Sequence, residues 1–365
     1  SVMNSKARLT YTNVDKILNQ NDKDLIKEYS FILSDLKNLK KLYQIMLNAR
    51  EKRGALEFDS TETTIVFNEK GKIDFIKPIF RNEAHRIIEE CMLAANVCAA
   101  NFLIDKKIDG LFRNHECPSE EKLENLRGFL SEFELSLQGG NKPTPKDYKH
   151  LVKKISNRPE SHLLQTVLLR SMQQAVYSEK NLGHFGLAFD AYTHFTSPIR
   201  RYPDLIIHRA IKSKLDKKNF KLKDISKVAE HCSNTERRAD EATRDVEAWL
   251  KCYFMQDKVG QIYEGTVAGV TGFGLFIELD EVYIEGLLHV TELGNDYFTY
   301  DKSKHAMIGE RTKLSYRLGD RLKVKVVRVD LESIKIDLSL ENVNAIPRQK
   351  KMLKKKFNSK RSKKK

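Results

Sequence analysis

Near Val259 the hydrophobic pattern of the chain changes period. Before that point apolar residues recur mostly at helical spacing. After it, short runs alternate at period two between glycine and polar turns. Residues 261–267, 272–279, 285–290, 321–330 and 334–340 read as five strands, with a variable loop between the third and the fourth. Strands this short and this closely spaced fit a small closed barrel, which leaves no unpaired edge.

Upstream, the pattern is a mixture of helices and strands, so the whole chain reads as α+β. Alternation at Ala7, Leu9 and Tyr11 predicts a strand, and helices follow over about 22–52. A hairpin-like piece comprises 55–58, 64–67 and 73–76, with a turn at Glu69, Lys70 and Gly71. A long helix is expected over 82–104, with Ile87, Ile88, Cys91, Met92, Ala95, Cys98, Ala99 and Phe102 on its apolar face. Glu89, Leu93 and Asn96 fall on one stripe beside that face, either as a solvated edge or as the wall of a polar cleft. Further helices are expected at 145–155, 160–178, 203–216, 222–232 and 233–257.

Residues 194–204, HFTSPIRRYPD, are the most informative short segment. Two prolines among aromatics and paired arginines suit neither a helix interior nor a central strand, so the segment is an ordered loop. Pro203 and Asp204 fit a helix start, which places Arg200 and Arg201 just outside an end that attracts anions. Guanidinium groups match phosphate geometry, and the neighbouring rings can stack on bases.

The net charge of +15 is unevenly distributed. Residues 348–365 contain eleven Lys or Arg and no acid, leaving +4 for residues 1–347. That tail reads as disordered and suited to phosphate backbones, with simple solubilisation as the other reading. The five cysteines are scattered and lack metal-ligand spacing, so reduced thiols and a cytoplasmic location are expected, with Cys91 and Cys98 as small core residues. No membrane partner is expected.

The barrel resembles the S1-type OB domain of RNA-binding proteins, through Gly265-x-Val267 and the segments GFGLFI, GLLHV, YRLGD and KIDLSL. In that family barrel aromatics stack on bases. The resemblance assigns this role to Phe273, Phe276 and His289, with Tyr297 and Phe298 in the adjacent loop; for each, a core position is the competing reading. Residues 1–257 resemble the catalytic domain of the RNase II/RNB exoribonuclease family, through SKARLTYT, HRIIEECMLAANVCAANF, GGNKPTPKDY, LLQTVLLRSMQQAVYS, GHFGLAFDAYTHFTSPIRRYPDLIIHRAI and TERRADEATRDVEAWLKC.

This resemblance implies a processive, Mg²⁺-dependent 3′-to-5′ exoribonuclease that releases nucleoside 5′-monophosphates from single-stranded 3′ ends, structured RNA included. It implies that Arg200 contacts a phosphate near the scissile bond. Tyr11 and Glu89 would contact the ribose, whose 2′-hydroxyl separates RNA from DNA. Phe58 would form one side of an aromatic clamp. Arg201 and Tyr202 would lie with Arg200 at the substrate, or serve with Asp204 to hold the loop. The family's metal-binding aspartates, of the form D-x(5)-D-x-D-D, do not occur in these 365 residues. The chain is therefore expected to contain no metal ligands, to be inactive alone, and to need a missing N-terminal half as partner. The expected organisation is a partial catalytic domain over 1–257, an S1-type barrel over 258–341 and a basic tail over 342–365. The alternative is a non-catalytic single-stranded RNA-binding module that uses the barrel and tail.

Overall fold

A computed structural model describes residues 2–58, 62–158, 160–301 and 304–341. The basic tail expected over 342–365 lies outside the described residues. The chain divides into two compact units at Lys251/Cys252.

The first unit begins not with a strand but with α1 (Tyr11–Asp15), capped by the Thr10 hydroxyl on the Asn13 N–H. The alternation at residues 7–11 finds no partner strand, so the local cap prevails. A one-turn π-helix, α2 (Lys23–Glu28) and α3 (Leu33–Arg53) follow, and α3 stops at Gly54 in the left-handed conformation, φ +93°. The hairpin consists of β1 (Thr63–Phe67) and β2 (Ile73–Pro78); residues 55–58 are not part of it. The Asn68 side chain accepts the Lys70 and Lys72 N–H groups across the turn.

Helix α4 (Glu83–Lys106) starts at Asn82, as its capping side chain requires. By length and composition α4 is apolar enough to cross a membrane. In this fold its buried stripe is Ala84, Ile87, Glu90, Leu93, Asn96, Ala99, Ala100 and Leu103. That face is rotated from the expected one: Ile88 and Cys98 are exposed and Cys91 is only half-buried. Glu90 and Asn96 go inside because distant partners satisfy their polar atoms, which overrides simple hydrophobic patterning.

Next come β3 (Phe112–Asn114), α5 (Glu120–Ser131), α6 (Pro145–Ile155), α7 (Ser161–Ser171) and β4 (Val176–Ser178). The helix expected over 160–178 thus ends at Ser171, and its last residues pair antiparallel with β3 instead. The start of α6 is set by Asp147, which accepts both the N–H and the hydroxyl of Thr144 at 2.7 Å. Helix α8 (Tyr202–Leu215) follows the loop, and α9 (Ile225–Met255) is one helix where two were expected. One core cluster joins Ala99, Ala100 and Leu103 of α4 to Phe112, Ala191, Ile207 and Ala210. A second joins Leu111, Tyr177 and Ile206 to Ala229 and Cys232 of α9.

The second unit contains a closed barrel of β5 (Ile262–Thr271), β6 (Gly274–Leu279), β7 (Ile284–His289) and two later strands. Between them lie β8 (Phe298–Asp301), β9 (Ala306–Gly309) and β10 (Ser315–Arg317), which form a separate three-stranded sheet where the sequence indicated a variable loop. β11 (Arg321–Asp330) and β12 (Lys335–Leu340) complete the barrel, with β12 parallel to β7 and β11 closing antiparallel on β5. Leu275, Ile277, Leu279, Leu288, Val324 and Val326 fill the interior. The small residue at Gly286 permits the β7–β12 contact, since a Cβ there would lie 2.8 Å from the Leu338 side chain.

Candidate functional site

Residues 194–204 form a loop held from several sides. His194 Nδ1 shares a 2.7 Å hydrogen bond with the Tyr177 hydroxyl on β4. The Phe195 N–H donates to Asn96 Oδ1 at 2.9 Å, and its carbonyl lies 2.9 Å from His208 Nε2 of α8, whose ring stacks on Phe195. The Ser197 N–H donates to Asp204 Oδ1 at 2.7 Å, and the Ser197 carbonyl accepts the Arg200 and Arg201 N–H groups. The turn is closed at both ends.

The two arginines end in different environments. Asp204 is fully buried and accepts Arg201 Nε and Nη2 at 2.9 and 2.8 Å, a two-pronged pair. Arg200 is exposed and makes no ion pair among the described residues. It sits one residue outside the cap of α8, where the helix dipole and free N–H groups favour an anion. Tyr202, the first residue of α8, is half exposed. Of the three substrate-facing candidates in this loop, the structure leaves Arg200 and Tyr202 open to solvent and engages Arg201 with Asp204.

Behind the loop lies a cluster of buried rings. Burial, followed by the positive charge of Arg201 and Arg113, drives the His194 pKa down to about 2; burial, followed by His115, drives His184 down to about 3. His115 is lowered mainly by burial as well. These imidazoles are neutral at pH 7, so they act as hydrogen-bonding and packing groups rather than charges. The Gly186 N–H donates to His115 Nδ1 at 2.8 Å, and a Cβ at Gly186 would approach that atom to 3.0 Å.

The ribose-contact candidates lie along α4, Tyr11 packed on it from α1 and Glu89 on the helix itself. Tyr11 stacks on His85, ring centroids 4.0 Å apart, and Glu89 lies one helical turn further along the same stripe. Arg50 of α3 reaches both Glu89 (3.1 Å) and Glu90 (2.6 Å). Burial alone would lower the Arg50 pKa, but the two carboxylates outweigh it and raise the group above its usual range. Glu90 is enclosed, whereas the Glu89 side chain keeps 40 % exposure, enough to meet a ligand. Asn96, two turns beyond Glu89, carries the hydrogen bond to the loop. Its position on the stripe was visible in the sequence, but its partners were not.

Phe58 is half-buried and lines a cleft of about 390 Å³ with Leu56, His115, Lys122, Met172 and Gln174. The Leu56 N–H donates to the Gly186 carbonyl, tying this segment to the turn before the loop.

On the barrel, Phe273 is 50 % exposed at the β5–β6 turn and meets Phe276 edge-on at 5.9 Å. Phe276 alternates with the fully buried Leu275 and Ile277, so it points outward from the barrel, half-buried beside Phe273. Exposed His289 pairs with Gly274 across β6–β7, which places all three rings at one end of these strands. Phe298 is the exception and corrects the expectation: at 6 % exposure it packs on Tyr316 inside the β8–β10 sheet. The outward aromatic of that loop is Tyr297, 70 % exposed, with Tyr300 partly exposed. Asp296 holds the loop by accepting from the Thr312 hydroxyl and from the N–H groups of Thr312, Arg311 and Tyr297, which lowers its pKa to about 2.

An α+β unit with a phosphate-suited loop, joined to an S1-type barrel, is the architecture of an RNA-acting nuclease class. The RNB domain family matches residues 1–217 and the S1 RNA binding domain family matches 256–341, so the chain belongs to the RNB family. Within it, the chain is similar to ribonuclease R. It is 49 % identical to ribonuclease R of Vibrio cholerae over 93 % of this chain and 43 % of that protein. It is 47 % identical to the Escherichia coli protein over 95 % and 44 %. The chain thus spans less than half the length of these relatives. The solved structure of Mycoplasma genitalium RNase R in complex with ribose-methylated single-stranded RNA superposes with a TM-score of 0.84 at 29 % identity, covering 92 % of this chain and 53 % of that one. The same protein in complex with double-stranded RNA gives a TM-score of 0.77 at 26 % identity, covering 92 % and 55 %.

Proposed function

We propose that the chain supplies the phosphate-contacting, ribose-contacting and terminal RNA-binding parts of a 3′-to-5′ exoribonuclease that acts in the cytoplasm and releases nucleoside 5′-monophosphates. The observation that carries this reading is the division of labour between Arg200 and Arg201. Asp204 fully engages Arg201 and the loop backbone, and Arg200 is left exposed beside the start of α8. A guanidinium held there neutralises charge that develops on a transferred phosphoryl group. Tyr11 and Glu89 add a phenol and a carboxylate able to bond a 2′-hydroxyl, which DNA lacks. Phe58 contributes one wall for the terminal bases, and Phe273, Phe276 and His289 hold the strand at the barrel. The RNA complexes of the Mycoplasma genitalium relative support single-stranded and structured RNA as substrates.

Magnesium requires several hard oxygen ligands converging on one point. Among the described residues no three His, Cys, Asp or Glu side chains converge in that way, and the buried carboxylates Asp204 and Glu90 are committed to arginines. The described residues do not fit a magnesium site, so the metal-binding carboxylates of hydrolysis are assigned to a longer polypeptide. The test uses 3′-labelled single-stranded RNA with Mg²⁺. This chain alone is expected to bind RNA and release no mononucleotide. In the longer polypeptide that carries the D-x(5)-D-x-D-D segment, Arg200→Ala should lower turnover by about 10²–10³-fold. Mononucleotide release by this chain alone overturns the need for outside carboxylates. Undiminished turnover of the Arg200→Ala polypeptide overturns the phosphate role and favours a simple RNA-binding module.

A further inference from the structure

The loop that presents Arg200 is tied by hydrogen bonds to three neighbouring segments. Thr193 donates to the Leu111 carbonyl next to β3, and His194 bonds to Tyr177 of β4. Phe195 and Ser197 bond to His208 and Asp204 of α8. None of these reaches α4, the helix that carries Glu89 and packs His85 under Tyr11. Among the described residues, the hydrogen bonds between segment 192–197 and α4 both belong to Asn96. Its Oδ1 accepts the Phe195 N–H, and its Nδ2 donates to the Tyr192 hydroxyl, each at 2.9 Å.

Asn96 is 3 % exposed. An amide buried in an apolar core costs free energy unless both ends are satisfied, so this residue type is retained only where its geometry is used. The geometry used is specific: one end of the amide bonds a backbone N–H five residues before Arg200, and the other fixes the Tyr192 ring that packs edge-on against His194. Glu89 precedes Asn96 by seven residues on the same stripe, about 10 Å along the helix axis. A ribose contact at Glu89 and a phosphate contact at Arg200 must be held at a set separation if they are to engage one strand, and Asn96 is the polar link that can hold it.

We propose that Asn96 is a positioning residue that sets the register between the ribose-contacting face of α4 and the phosphate-contacting Arg200. The proposal rests on the Arg200 reading above. It acts through Arg200, so its signature is non-additivity, which a residue that merely stabilises the fold does not show.

The experiment measures the affinity of the 365-residue chain for a short single-stranded RNA with a free 3′ end, in a double-mutant cycle. Asn96→Ala and Arg200→Ala should each weaken binding by about 5- to 20-fold, as loss of one charge-assisted or buried hydrogen bond predicts. The double variant should bind within twofold of Arg200→Ala alone. Asn96→Asp keeps the acceptor for the Phe195 N–H but replaces the Nδ2 donor with an oxygen to which the Tyr192 hydroxyl must donate, so it should recover part of the affinity, more at low pH where the buried carboxyl is neutral. Thermal melts confirm that each variant is folded; should Asn96→Ala not fold, the cycle is run with Asn96→Ser, which shortens the side chain but keeps it polar. Additive losses, or an Asn96 variant that is folded and binds normally, overturn the positioning role while leaving the Arg200 reading intact. An Arg200→Ala chain with unchanged affinity overturns both.

Discussion

The loop of the first unit and the aromatic end of the barrel both present side chains suited to RNA, but they are built in opposite ways. In the loop, the residues that matter for geometry are buried polar groups, paired across separations that run from 3 to 99 residues: Asp204 with Arg201 and Ser197, Tyr177 with His194, Asn96 with Phe195. On the barrel, Phe273, Phe276 and His289 are presented by strand alternation and a turn, over an apolar interior that needs no polar partners. A polar scaffold gives directional precision and fails abruptly when one partner is lost. An apolar scaffold tolerates surface changes and spends its stability in the core.

The largest expected effect falls on the polar scaffold. Asp204→Ala leaves the Arg201 guanidinium, 18 % exposed, and the Ser197 N–H without their partner. Urea denaturation should show a loss of about 3–5 kcal/mol, as for other broken buried pairs. A loss under 1 kcal/mol would mean that water replaces Asp204 and that the scaffold is not polar in the sense argued. On the barrel unit the contrast is between two phenylalanines. Phe298→Ala, in the packed β8–β10 sheet, should cost about 3–5 kcal/mol of stability. Phe273→Ala, at the exposed turn, should leave the melting temperature nearly unchanged and cost about 1–3 kcal/mol of RNA affinity. The reverse pattern would exchange the roles assigned to the two rings.

The last contrast is in the pH profile. Folded-state pKa values of about 2 for His194 and about 3 for His184 lie below the usual 6.5, so the unfolded chain binds more protons below that value. The stability of the first unit is therefore fully present above about pH 6.5. It declines on acidification, because the unfolded chain takes up protons that the folded His194 and His184 do not. Asp296 has the same sign in a lower window: its pKa is lowered from 3.8 to about 2, so its contribution persists to about pH 4 and disappears only as the pH falls towards 2. Between pH 7 and 5 the first unit should lose stability while the Asp296 contribution to the second stays constant. Calorimetry in which both transitions shift equally would remove the distinction.

The sequence was legible where structure is local. All five barrel strands stand within a few residues of their expected places, because inward and outward residues alternate at period two and glycines mark the turns. The start of α4 at Asn82 and the start of α8 next to Pro203 follow from caps that act within one turn. It was less legible where a partner far along the chain decides. Val176–Ser178 leaves the expected helix because β3 offers a ladder, and Phe298 rather than Tyr297 turns inward because β8 pairs with β9 in that register. The apolar face of α4 was misplaced because Arg50, Tyr192 and Phe195 satisfy Glu90 and Asn96, which makes polar positions buriable.

By itself, then, the sequence determined the kinds of elements, the presence of a barrel and the loop that holds Arg200, since periodicity, capping and turn chemistry are properties of neighbouring residues. The family resemblance it carries singled out Arg200 for the phosphate and left Arg201 between a substrate-facing and a supporting role. Only the tertiary structure decided that Arg201 is bound and Arg200 free, that Phe298 is interior, and that Asn96 joins the helix to the loop. Those outcomes depend on which carboxylate, ring or backbone N–H the fold brings within about 3 Å, the range over which a hydrogen bond selects one partner over another.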